Sequence, residues 1–441
     1  MKLTIYTSNL NTKRLQFVAE HIFNRILGID FQLTNDKNFY LSQAGNQIWY
    51  ADEKPKTGLH IIPQGLLFET NIHSIDDLQT AKYHNLFCFF YSEKGDIPFD
   101  LFSATFYRLS LYEEYLPHIT DVHGRFRHQD SLLFQNDVLE IPVIDRWAYF
   151  LKEELIKLGA SENHFSLRKF RFISTYDIDF PYLYRYKSLI KNTLGFLRDI
   201  FLRKWDKAKE RYQVLLHRIT DPYLSAIENI ERLHQEHHHP YYLFVLLGKS
   251  GRFGHSNTYN PKDYHRHISQ LKNVEIGLHP SYKTLYHPEI LQKEKAKLEK
   301  TVKREMTCSR QHFLRMHTPE TFRDLLANGF WHDFSLSFAH ASGFRSGTAI
   351  PHPFFDLQKN ETSDLLLHPT VFMDSTFVFH QKQSPEEVEK KIRKLIDECK
   401  KSGGDYLSLW HNSNLSGNEN ENLWINTWFR TFMYAKSTEN D

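Results

Sequence analysis

From residue 168 onward, short apolar runs alternate with amphipathic helical patterns, and this alternation constrains the fold more than any other feature. Strand-like runs are read at 169–175, 241–247, 274–278, near 312–314, and at 333–338, 370–372 and 406–410. Helical spacing is read at 225–236, 289–305 and 319–328, and at 385–400, where Ser384 supplies an N-cap and Pro385 the first turn. The run Tyr241-Tyr242-Leu243-Phe244-Val245-Leu246-Leu247 has no polar face, so it requires cover on both sides. Repeated βα units with such strands imply a parallel sheet flanked by helices, either open or closed into a barrel.

Residues 1–165 read as a smaller mixed α/β domain. Strands are expected at 3–6, 58–62 and 86–91, and helices at 14–26, 100–115 and 145–158. The polar run 159–163 places a boundary near 165, leaving 166–441 as the second domain. The pair Glu113-Glu114 is expected on the exposed side of a helix whose aromatics face the core.

Composition narrows the function classes. The 55 basic and 53 acidic residues leave a net charge of +2, which offers no global attraction to nucleic acid. Cys88, Cys308 and Cys399 are widely spaced and show no CxxC pattern, so they are read as buried small hydrophobes rather than disulfides or a thiolate metal cage. The N-terminal apolar run is too short for a secretory signal, and no apolar stretch approaches the about 20 residues of a membrane span, so a cytoplasmic location is expected. The 26 histidines suit a metal held by nitrogen and oxygen.

One segment departs from this neutrality. Residues 187–218 carry nine basic and three acidic side chains, with Leu194, Phe196, Leu197, Ile200, Phe201, Leu202 and Trp205 among them. Two readings apply: a basic amphipathic element in peripheral contact with an anionic membrane, or a helical insertion (about 187–220) whose apolar face packs on the barrel. The packed insertion is the expectation.

Parallel α/β folds carry their chemistry at the C-terminal ends of the strands. Those ends give Asp177 and Asp179, then His279, then Arg310 and His312, then Asp333, then Asp374, and finally Trp410, His411 and Asn412. Each is weak alone, because an Asp-x-Asp after a strand is more often a turn or cap. Carboxylates, imidazoles and an arginine recurring at one edge form a candidate site for metal-assisted hydrolysis.

The ordered set resembles the polysaccharide deacetylase superfamily, the NodB-homology fold of carbohydrate esterase family 4. Thr175-Tyr176-Asp177-Ile178-Asp179 is similar to its first motif, and Glu275-Ile276-Gly277-Leu278-His279 to its second. Arg310 stands for the third, and Gly329-Phe330-Trp331-His332-Asp333-Phe334-Ser335 resembles the Gly-Phe-x-x-Asp-x-Ser stretch. The last motif, Leu-x-x-His, is echoed by Leu409-Trp410-His411 with one residue fewer, or by Ser408-Leu409-Trp410-His411. The resemblance covers 168 to about 430 and implies a distorted (β/α)7, TIM-like barrel. Residues 1–165 look like an uncharacterised domain that accompanies some of these deacetylase-like proteins.

The resemblance implies a hydrolase of carbohydrate metabolism that removes an N-acetyl group from an amino sugar, glycolipid or glycan precursor. Asp179 and His279 would hold a divalent metal, most suitably zinc, with Asp177 as general base, Arg310 orienting it and His411 as general acid. The family's second metal histidine is replaced by Lys283, and His312 is the substitute expected, placed on the face of Arg310 by the period of a strand; His287 and His332 are weaker candidates. Asp333, Arg345 and Trp410 are candidate substrate contacts, with 343–348 read either as a substrate loop or as a glycine-rich turn. Two alternatives stand beside this: hydrolysis of another amide C–N bond, or a non-catalytic glycan-binding or assembly module whose Lys283 neutralises the carboxylates in place of a metal.

Overall fold

The structure, a computed structural model, describes every residue except 1, 11, 44, 76–77, 249–260, 418–421 and 441. The N-terminal part is built on a four-stranded parallel sheet of β1 (Leu3–Thr7), β2 (Phe31–Thr34), β3 (Gln47–Tyr50) and β4 (Leu59–Ile61), in the order β2-β1-β3-β4. Thr12 caps the helix Lys13–Ala19, which continues as a π-helical stretch, Glu20–Ile26. Leu15, Val18, Ile22, Phe23 and Ile26 are all buried, as their helical spacing predicts. A hairpin of β5 (Thr80–Tyr83) and β6 (Leu86–Phe89) and the helices Leu101–Leu109 and Val143–Lys157 complete this layer.

Glu113 and Glu114 do not lie on an exposed face as expected. Glu113 is buried against Arg108, and Glu114 accepts from Arg345 Nε (2.9 Å) and from Thr318 Oγ1 (3.0 Å). Glu114 thus ties the N-terminal part to the remainder of the chain, while Glu113 serves contacts within the N-terminal part, accepting also from Leu132 N–H at 2.9 Å.

The second sheet has nine strands: β7 (Arg171–Ile178), β8 (Tyr241–Leu246), β9 (Val274–His279), β10 (Cys308–Ser309), β11 (His332–Leu336), β12 (His352–Asp356), β13 (Glu361–Pro369), β14 (Phe372–Met373) and β15 (Asp405–His411). Their order is β12-β13-β11-β10-β9-β8-β7-β15-β14, parallel throughout except for the β12–β13 pair. The sheet is strongly curled. β13 and β14 stand near opposite ends of that order, yet only Thr370 and Val371 separate them, a link of about 10 Å at most. Thr370 N–H donates to Leu336 O of β11 and Val371 N–H to Leu407 O of β15, both at 3.0 Å, so the two ends approach each other.

Two expectations need correction. Residues 312–314 are a single 3-10 turn, with Phe313 at φ 63° and Leu314 at φ 50°, not a strand; the strand is the two-residue β10 just before them. The basic segment forms two helices, Leu189–Phe201 and Trp205–Leu215, whose large apolar side chains point outward instead of packing on the sheet. Both roots of this excursion are pinned: Asp221 accepts from the backbone N–H groups of Leu183, Tyr184 and Arg185 while capping the helix Pro222–Glu236. Among the described residues, no helix is long and apolar enough to cross a membrane.

Candidate active site

β7 lies between β8 and β15, and its end carries the first carboxylates. Ile178 packs into the large core cluster, so Asp177 and Asp179 on either side of it project to the opposite face. Asp177 is 2% exposed, and such a buried carboxylate needs a charged partner. Arg310, itself fully buried, supplies it: Nη1 donates to Asp177 Oδ1 at 2.9 Å, Nε to Phe334 O at 3.0 Å and Nη2 to Thr370 Oγ1 at 3.4 Å. The guanidinium lies 4.5 Å over the Phe244 ring. A Cβ at Gly277 would come within 2.5 Å of that ring, which gives the glycine of Glu275-Ile276-Gly277 a physical reason.

His279 ends β9. Its Nδ1–H donates to Arg310 O at 2.6 Å, which fixes the tautomer and leaves Nε2 facing Asp179 Oδ1 at 3.3 Å and Asp177 Oδ2 at 3.6 Å. His312 reaches the same place from the 3-10 turn, with Nε2 3.7 Å from Asp179 Oδ2. One ligand atom from each of Asp179, His279 and His312 falls within a 4.8 Å cluster.

The donor set fits a divalent cation. Asp179 Oδ1 is buried and, among the described residues, accepts no hydrogen bond of good geometry although His279 stands beside it. Burial opposes ionisation of Asp179, but His312, His279 and His411 hold its carboxyl well below the usual range. Burial likewise disfavours a charged His279, and Asp177 and Asp179 override it and raise its pKa. The field that favours a proton there favours a metal, and two imidazoles with one carboxylate suit zinc.

His411 ends β15. Its Nδ1–H donates to Asp374 Oδ1 at 2.6 Å, and its backbone N–H donates to Oδ2 at 2.8 Å. Asp374 follows β14, is fully buried, and also accepts from Asn414 Nδ2 at 2.9 Å. Burial works against charge on His411, but Asp374, then Asp179 and Asp177, raise its pKa to about 10. The imidazole is therefore protonated at neutral pH and able to act as an acid.

Asp177, Asp179, His279, His312 and His411 share one cavity of about 300 Å³, walled by Phe313, Leu314, Met373, Phe379 and Leu409. Arg125, from the N-terminal part, also lines it and donates to Phe313 O, and Arg315 Nε donates to His123 O at 2.8 Å. The turn that carries His312 is thus held from outside the sheet.

Other residues singled out in the sequence lie elsewhere. Asp333 is fully buried outside the cavity and accepts from Ser309 Oγ, Ser335 Oγ and Ser335 N–H, each at 2.9 Å; burial pushes its carboxyl up to about 6 against those bonds. Ser335 Oγ accepts from Gln311 N–H at 2.8 Å, so Asp333 acts on the backbone beside Arg310. Trp410 is buried, its ring 5.1 Å from Phe372, and does not line the cavity. Arg345 is engaged by Glu114 and by Ser337 O, and borders a neighbouring pocket that shares Arg125 with this one. His287 is exposed beside Glu289, His332 pairs with His368 at 3.0 Å, and Lys283 is exposed and outside the cavity.

Sequence reasoning gave no role to Asp374 and no place to Arg125. Asp374 had a signal, its position after a strand. Arg125 had none.

Residues 3–160 match DUF7033, a family of unknown function. No curated protein matches the chain. Among solved structures, the chain is similar to Puue allantoinase, with 12% identity over 61% of this chain and 84% of that one (TM-score 0.38). It is similar to a probable polysaccharide deacetylase from Pseudomonas aeruginosa PAO1, with 12% identity over 61% and 85% (TM-score 0.38). It is also similar to IcaB from Ammonifex degensii, with 16% identity over 38% and 87% (TM-score 0.24).

Proposed function

We propose that the chain is a metal-dependent hydrolase of the polysaccharide deacetylase superfamily that removes an N-acetyl group from an amino sugar, glycolipid or glycan precursor. The observation that carries this reading is the convergence of an Arg-paired carboxylate, an Asp–His–His cluster and a carboxylate-paired imidazole in one cavity. On the same reading the curled sheet is a distorted (β/α)7 barrel in which β13 and β14 act as one interrupted strand. Residues 1–165 are an accessory unit, and Arg125 is its contribution to the cavity.

Asp179, His279 and His312 would hold the metal, with zinc the best match to two imidazoles and a carboxylate. When bound, the cation supplies Lewis-acid polarisation of a carbonyl and a more acidic water. Asp177 accepts the proton of the attacking water; Arg310 keeps that carboxylate aimed through the bond to Oδ1 and leaves Oδ2 for the transfer. His411, protonated through Asp374, gives its Nε2 proton to the departing amine. The apolar wall excludes bulk water and strengthens each of these interactions. The non-catalytic alternative required Lys283 among the carboxylates, and an exposed Lys283 outside the cavity gives it no support.

The test is metal content of the purified protein, followed by acetate release from an N-acetylated amino sugar. A stoichiometric divalent ion and acetate release abolished by Asp177→Asn are expected. Absence of metal uptake at micromolar concentration, or undiminished release by Asp177→Asn, would refute the proposal.

A further inference from the structure

The helical hairpin that follows β7 is built inside out. Along Leu189–Phe201, the residues Ile190, Leu194, Leu197 and Phe201 recur at i, i+4, i+7 and i+11, a single stripe on one helix face. In a globular protein that stripe faces the core. Here it faces solvent: Ile190 is 71% exposed and Phe201 86% exposed. The buried face is instead polar, consisting of Asn192 and Asp199.

Arg211 of the second helix, also buried, explains how a polar face can hold the two helices together. It donates to Asp199 Oδ2 from Nη2 at 2.8 Å and from Nε at 3.2 Å, and to Asn192 Oδ1 from Nη1 at 3.3 Å. It also lies 4.5 Å over the Tyr184 ring. Gly195 makes the approach possible, since a Cβ there would meet the guanidinium at 2.8 Å. The hairpin therefore needs none of its apolar stripe for its own packing.

The second helix buries Ala208, Arg211 and Val214 and also turns a stripe outward. Trp205, Lys209, Tyr212 and Leu216 follow the same spacing and are exposed, Trp205 at 61%. Charge completes the surface: Lys191, Arg198, Arg203, Lys204, Lys207, Lys209 and Arg218 are exposed, against Asp206 as the one exposed acid of 187–218. Lys191 and Arg198, seven residues apart, run along the edge of the first stripe.

We propose that this hairpin docks on the surface of an anionic lipid bilayer. Ile190, Leu194, Leu197, Phe201 and Trp205 enter the headgroup–acyl boundary while the flanking cations meet lipid phosphates and carboxylates. A bilayer fits better than a protein partner because the apolar side chains stand on two exposed helix faces rather than in a groove, and because the exposed charge is almost wholly of one sign. The inference is independent of the hydrolase reading, since none of these residues lines the cavity.

The test is co-sedimentation of the full chain with phosphatidylcholine vesicles, pure or containing about one-third phosphatidylserine, at near-physiological salt. Binding at least about tenfold stronger to the anionic vesicles is expected. The triple substitution Leu194→Gln, Phe201→Gln and Trp205→Gln should weaken it about 100-fold without changing the circular dichroism, because all three side chains are exposed. Lys191→Glu with Lys207→Glu should remove the preference for anionic lipid. Equal binding to both vesicle types, no binding, or self-association in solution that the triple substitution abolishes would overturn the proposal; the last result would assign the face to a second copy of the chain.

Discussion

The proton on His411 is the feature of the candidate site most open to a quantitative test. Replacing Asp374 with Asn removes the carboxylate that heads the interactions raising the His411 pKa to about 10. Relative to the usual histidine value of about 6.5, that rise corresponds to about 5 kcal/mol favouring the protonated folded state. The folded pKa lies above the unfolded one, so this stabilisation is fully present below about pH 6.5 and is lost as pH rises through about 10. Between about pH 6.5 and 9.5 the native chain should lose 3–4 kcal/mol from this group. Asp374→Asn should lower stability at near-neutral pH and flatten that decline, because its amide can still accept one of the two bonds from His411 but carries no charge. Urea unfolding at several pH values reads both effects, and the alkaline limb of the acetate-release profile should shift downward in parallel. Parallel stability–pH curves for the native chain and the variant would show that Asp374 does not hold the proton.

Other outcomes follow from single contacts. Gly277→Ala drives a Cβ into the Phe244 ring that underlies Arg310, so a loss of about 1–3 kcal/mol by chemical denaturation is expected, with a fall in activity. His312→Ala removes one of three clustered donors and should weaken zinc binding by more than about tenfold in calorimetry, a loss that even an outer-shell partner can produce. Burial, opposed by the Thr348 and Ala349 bonds, pushes the Asp145 carboxyl up to about 7. The folded chain then holds an extra proton between about pH 4 and 7, costing up to about 4 kcal/mol as pH rises through that window, and Asp145→Asn should abolish the decline in urea titrations.

The parts of the fold legible in the sequence are those with an unambiguous period. β8, apolar along its whole length, and the helix Pro385–Lys401, opened by the Ser384 capping box, lie where pattern reading puts them. β12 and β13 were missed because polar and apolar residues mix along them, as in Glu361-Thr362-Ser363-Asp364. At the site, Asp177, Asp179, His279 and His411 are found because strand ends collect them. His312 arrives by a different route from the one assumed: period two does not apply to a 3-10 turn, and the imidazole reaches Asp179 from that turn. Arg125 could not be read at all, since its approach to the cavity depends on contacts between residues nearly 200 positions apart. The outward stripe of the hairpin was legible as a pattern but not in direction, because periodicity shows a face without showing which way it turns.

The pinning of the hairpin at its base has a consequence for how such a chain can change over time. Asp221 gathers the backbone of residues 183–185, and Asn412, next to His411, donates to Phe180 O and Tyr223 O, so both ends of the excursion are fixed to the scaffold. From within the hairpin Asn192, Glu210 and Arg211, each buried or half-buried, reach Tyr184 of that knot. The exposed positions between Ser188 and Thr220 can be exchanged while that knot stays tied, so long as Asn192, Glu210 and Arg211 are kept. Descent with modification can therefore rewrite the outward face of this hairpin one position at a time and leave the side chains beside the knot untouched.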